Sequence, residues 1–108
     1  MRQYRQGDVW VMEAGSGMVL GAEVPRTPDG RIVLALGEAT GHHHSIYEEG
    51  AVMYALPDTD DRFLRIMEGS GVALTHQEHA PIVIPPGDWV VRRQREYVPK
   101  DLPRRVAD

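Results

Sequence analysis

The chain has 108 residues, a formal net charge of -4, 42% hydrophobic and 26% charged residues, and no cysteine. That length suits one domain with a core of modest size, and the mild acidity supplies no general attraction to nucleic acid or to an anionic membrane. The lack of cysteine excludes disulfides and thiolate metal sites.

Residues 1–8 are polar with no apolar signal core, and no run reaches the roughly 20 apolar residues of a membrane-spanning helix. A cytoplasmic protein is therefore expected, with no membrane and no nucleic acid among its partners. Eleven glycines and eight prolines punctuate the chain, and short segments rich in Val, Ile, Leu and Tyr lie between them. This is the pattern of an all-β domain.

Strands are predicted in order. The first covers residues 8–14, with Val9, Val11 and Glu13 on one face and Trp10 and Met12 on the other. A brief second strand at 18–21 precedes a loop over 22–30 that ends in the Asp29-Gly30 turn. Residues 31–36 form the clearest buried strand, apolar on both faces from Ile32 onward. Further strands follow at 51–56, stopped by Pro57, and at 62–67, where apolar and polar residues alternate. The run Glu68-Gly69-Ser70-Gly71 predicts a tight hairpin between 62–67 and a strand at 72–75. Residues 82–84 and 89–98 complete the set, separated by Pro85-Pro86-Gly87-Asp88.

Asp58-Thr59-Asp60-Asp61 lacks the glycine and terminal glutamate of a calcium loop and reads as a solvated turn. No internal repeat is present. The expected architecture is a single β domain over residues 1–98, a small barrel or two-sheet sandwich. A tail over 99–108 packs along the surface or frays.

Five histidines fall into two tight groups, His42-His43-His44 and His76 with His79. Imidazole is the commonest protein metal ligand at neutral pH. Alternate residues of a strand share a face, so His42 and His44 project together while His43 points the other way, as a partly exposed neighbour. His76 continues the inward face of Leu74. His79, three residues on, joins it only if a bulge or turn intervenes, which the polar Gln77-Glu78 and the extended geometry before Pro81 permit. Both groups sit at the ends of apolar strands, where a barrel mouth would lie. The competing reading makes them surface residues at loop tips.

Among other motifs, Arg92-Arg93-Gln94-Arg95-Glu96-Tyr97 is the densest basic run. It reads as an anion-binding surface or as a partner for the chain's own carboxylates. It lacks the broad basic face or aromatic platform of a nucleic-acid site. No serine sits in a nucleophile elbow, and no glycine-rich phosphate loop precedes a helix. No catalytic residue is identified.

The stretch from Gly37 through four residues to His42-His43-His44, then three residues to Glu48, resembles the first motif of the cupin superfamily with one residue missing. Ile82 to Asp88 resembles the Pro-x-Gly turn of its second motif. The resemblance implies a cupin-like barrel and carries His42, His44 and Glu48 over as ligands. It departs at Val90, where cupins place their last histidine, and Tyr47-Glu48-Glu49-Gly50 reads equally well as a solvated turn. The whole chain also resembles a small uncharacterised bacterial family. The two share Gly-Glu-Ala-Thr-Gly-His-x-His, a later His-x-Glu-His-x-Pro-Ile and an Arg-Gln-Arg-Glu-Tyr strand.

Residues and resemblance together lead to a small cupin-like protein that binds one divalent transition metal. His42, His44 and His76 would hold it, with His79 or Glu48 as further ligands. Nitrogen and carboxylate donors without sulfur suit Zn, Fe, Mn, Ni, Co or Cu. An open coordination position would let the metal act on water, oxygen or a chelating small molecule, whereas a closed four-histidine site would be structural. The alternative is a non-catalytic structural or protein-interaction module whose histidines form a structural metal site or bind no metal. Homo-oligomerisation is compatible with a core of this size.

Overall fold

In the computed structural model the described residues are 2–36, 42–69 and 71–93, together with the strand backbones at 95–96 and 104–105. The chain is all-β, with no helix among the described residues. A short hairpin opens it: β1 (Gln3–Gln6) and β2 (Val9–Glu13) pair antiparallel across a two-residue turn, Gln6 opposite Val9. Gly7 takes φ 58° there, the positive value that two-residue hairpin turns need and that glycine adopts without a Cβ penalty.

Three more strands complete the larger sheet in the order β1-β2-β9-β6-β5, with β5 Ala51–Ala55, β6 Arg62–Ile66 and β9 Gly87–Arg93. Every neighbouring pair is antiparallel. Strand alternation gives this sheet one apolar face. Val9, Val11, Ala51, Met53, Leu64, Ile66, Trp89 and Val91 are all buried in one cluster. The opposite face is more polar but buries Phe63, which meets the Tyr54 ring edge-on at 6.2 Å and the Arg65 guanidinium at 5.3 Å.

The second layer comes from two hairpins. β3 (Ile32–Leu36) pairs with β4 (His43–Ile46), with an irregularity between Val33 and Ala35, and β7 (Val72–Leu74) pairs with β8 (Ile82–Ile84). A bridge between Ser45 and Thr75 joins them through reciprocal amide bonds of 3.0 and 2.9 Å. Ile32, Ala35, Ile46, Val72, Leu74 and Ile84 belong to the same buried cluster as the large sheet's apolar face. Two layers thus close on one core.

Several strands run where the pattern of apolar residues puts them, but two expectations need correction. The turn after β6 does not make a β6–β7 hairpin. β6 is flanked by β5 and β9, and β7 lies in the other layer. Residues 18–20 carry no strand. Instead Gly21, Ala22 and Val24 bond along β5, and Glu23 bridges Tyr54. Gly21 approaches Ala55 so closely that a Cβ would lie 3.0 Å from its carbonyl oxygen. In the tail, β10 (Arg95–Glu96) pairs antiparallel with β11 (Arg104–Arg105), so those residues return onto the strand end. No helix of the described residues is long and apolar enough to cross a membrane.

Candidate metal site

At one end of the sandwich the inward faces of three strands change from apolar to polar. On β1 the face passes from Tyr4 to the buried Gln6. On β4 it passes from Ile46 to His44, both fully buried. Beyond Leu74 of β7 it passes to His76, 9% exposed. The alternation that builds the core therefore delivers imidazoles and an amide to the same end.

The rings of His42, His44, His76 and His79 gather there. Ring centroids lie 5.4 Å apart for His42–His76, 4.4 Å for His44–His76, 4.7 Å for His76–His79 and 6.2 Å for His44–His79. His79 comes round because residues 77–79 form a bend directly after the bridge at Thr75. Its turn is held by His76, whose Nδ1 accepts hydrogen bonds from the amides of Glu78 and His79 at 3.0 and 3.3 Å. His43 faces elsewhere. Its Nδ1 meets the Ser45 hydroxyl at 2.6 Å and its Nε2 meets the Gln77 amide nitrogen at 3.0 Å. Desolvation, then the nearby Arg31 charge, holds the His43 imidazole below its ordinary pKa.

Two partners of His44 come from the β1–β2 turn. His44 Nδ1 lies 2.9 Å from Gln6 Oε1, and His44 Nε2 lies 3.3 Å from Asp8 Oδ1. Asp8 is fully buried, and its other oxygen accepts a 2.7 Å hydrogen bond from Arg93 Nε. Arg93 also donates to the Leu36 carbonyl. A buried carboxylate needs such a counter-charge, because leaving water costs an isolated ion far more than a neutral group. Asp8 Oδ1, His42 Nδ1 and His79 Nε2 are buried without a hydrogen bond.

Glu48, placed among the ligands by the cupin resemblance, is exposed, and its Oε2 accepts the Ala73 amide at 2.9 Å. The carboxylate beside the exposed edge of the histidine group is Glu78, whose Oε1 lies 3.8 Å from His42 Nε2. Val90, the position where cupins carry a histidine, stands between Met12 and Phe63 in the large sheet. The glycine that opens the cupin-like motif, Gly37, lies outside the described residues. Arg92 and Arg93 both pair with the chain's own carboxylates, Asp61 and Asp8.

Sequence reasoning missed Gln6 and Asp8, and placed Arg93 only in a basic run that pairs with the chain's own carboxylates. The signal that could have found them is the Gly7-Asp8 turn opening directly into the apolar run of β2, which leaves a charge where burial begins. Among the described residues no group of three or more His, Asp or Glu side chains is arranged to hold an ion as the side chains stand. The chain belongs to a family of domains of unknown function, DUF8820, whose model matches residues 5–94. No curated protein and no solved structure matches it.

Proposed function

We propose that this DUF8820 domain binds a divalent transition metal at its histidine end, through His44 with His42, His76 and His79. The observation that carries this reading is the spacing of the rings. Two imidazoles sharing one ion at bonds of about 2.1 Å have ring centroids about 5 Å apart. The rings of His42, His44 and His79 each lie 4.4 to 5.4 Å from that of His76. Capture of an ion would require these rings to rotate. Near-parallel stacking, such as the 18° between His44 and His79, is the arrangement that rotation would undo.

Donor chemistry adds to the argument. Buried nitrogen and oxygen atoms without hydrogen bonds are costly, and His42 Nδ1, His79 Nε2 and Asp8 Oδ1 are three of them at one end of the fold. With no thiolate, the set suits Zn, Fe, Mn, Ni, Co or Cu. Arg93 also lines a cavity of about 360 Å³ beside Leu36, Met53 and Arg62. A small molecule seated there would lie one side chain away from Asp8. Whether the metal acts on such a molecule or only fixes the strand ends turns on how many positions the protein leaves open.

One observation favours a second reading, a metal-free polar cap on the core. His76 Nδ1 accepts two backbone amides, so the neutral ring carries its proton on Nε2 and presents no lone pair there. Elemental analysis of untagged protein, supplied in turn with each candidate ion and then dialysed, separates the two. The metal reading predicts about one ion per chain for at least one metal, lost in His44→Ala protein that still melts cooperatively. Trace content for every ion would leave the polar cap.

A further inference from the structure

We infer that Asp8 is the carboxylate ligand of this site and that Gln6 fixes which nitrogen of His44 meets the ion. The inference rests on the metal reading above and deepens it. The orientation of the Gln6 amide is fixed by its hydrogen-bond partners. Here Gln6 Nε2 lies 2.9 Å from the Leu74 carbonyl and 3.0 Å from the Ala80 carbonyl. Both are acceptors, so the NH2 group must face them, and Oε1 must face His44.

An oxygen 2.9 Å from His44 Nδ1 can only accept. His44 therefore carries a proton on Nδ1, and Nε2, the nitrogen that faces Asp8, is the one that meets the ion. This is the arrangement in which an outer partner sets the tautomer of a metal-binding histidine.

His44 Nε2 faces Asp8 Oδ1 at 3.3 Å, where both side chains are fully buried. Two donors on one ion, at about 2.1 Å each and about 90° to 110° apart, lie about 3.0–3.4 Å from one another. The pair thus has the spacing of one edge of a coordination polyhedron before any ring rotates. Asp8 Oδ1 has no hydrogen bond, while Arg93 occupies Oδ2 at 2.7 Å. Arg93 leaves one oxygen for the ion and neutralises the carboxylate that it holds in place. His79 Nε2, buried and without a hydrogen bond, is the candidate for a third donor. The ligand class is a divalent ion that accepts mixed imidazole and carboxylate donors, for which zinc is the probe.

The test uses the full chain, labelled with nitrogen-15, before and after addition of zinc, with the side-chain nitrogens of His44 read by long-range proton–nitrogen correlation. The expected result is Nδ1 protonated in both states and Nε2 shifted to a metal-bound position by zinc. Calorimetric titration of the variants supplies the second readout. Asp8→Asn and Gln6→Leu should each weaken zinc binding about 10–100-fold. Gln6→Glu, which keeps an acceptor for Nδ1, should recover part of the loss. Melting curves establish that each variant is folded.

An unprotonated Nδ1, or zinc bound through Nδ1, overturns the role of Gln6 whatever the variants do. Zinc bound equally well by wild type and Asp8→Asn, or lost more completely in Glu48→Gln, overturns the role of Asp8 while leaving the metal reading intact. No zinc response in the wild type removes the metal reading itself. The protonation state of Nδ1 in the metal-free protein still decides the tautomer claim independently.

Discussion

His43 and His44 differ by a single residue of register. His44 shares its face with Ile46 and enters the core, whereas His43 turns to Ser45 and Gln77. If the donors are the inward nitrogens, His79→Gln should lower zinc affinity about tenfold or more, and His43→Gln should change it less than about twofold. Calorimetric titration of the two variants side by side checks this, and equal losses would contradict it.

A second prediction at this scale concerns acid stability. The Thr27 hydroxyl, and after it Arg31, hold the Asp29 carboxyl below its ordinary pKa. A carboxyl whose folded pKa is lowered contributes stability above the unfolded value, about 4, and loses it as the pH falls through the folded one. Asp29→Asn should therefore flatten the acid end of the melting-temperature profile below about pH 4 and leave the neutral region nearly unchanged. A steeper acid limb in the variant would contradict the assignment.

Among the elements, the β1–β2 turn contributes most to the site for its length. Gly7 at φ 58° lets the chain reverse in two residues and puts Gln6 and Asp8 on either side of His44. Gly7→Ala should destabilise the fold by about 1–2 kcal/mol through the left-handed backbone. It should also weaken metal binding, because both partners of His44 shift with the turn. Denaturant melts and zinc titration of the variant measure the two effects. A stability loss with full zinc affinity would show that the turn does not position the site.

The same turn shows what sequence can and cannot reveal. β3, β8 and the bodies of β2, β5 and β6 follow from apolar runs and alternation, since those patterns record local burial. The polar contacts of the site join residues 38 and 85 positions apart, His44 with Gln6 and Arg93 with Asp8. No local pattern specifies such pairs, because they arise only when the two layers meet. The mistaken β6–β7 hairpin has a related cause. A glycine-rich turn reports that the chain reverses, but not whether the next strand stays in the same sheet.

For the whole molecule, a sandwich of this size has little stability to spare, and its polar end places a buried carboxylate and four imidazoles next to a single apolar core. An ion that binds only the folded chain adds stability by mass action, about 2.7 kcal/mol at a free concentration 100 times its Kd. For a domain near 100 residues this corresponds to a rise in melting temperature on the order of 10 °C. Zinc titration of untagged, chelator-treated protein, with stoichiometry and melting temperature followed together, tests the central claim most directly. The account predicts saturation at about one ion per chain, with a rise of that order reversed by chelator. Binding far below one ion per chain with an unmoved melting temperature, repeated for each of the other candidate ions, would contradict it.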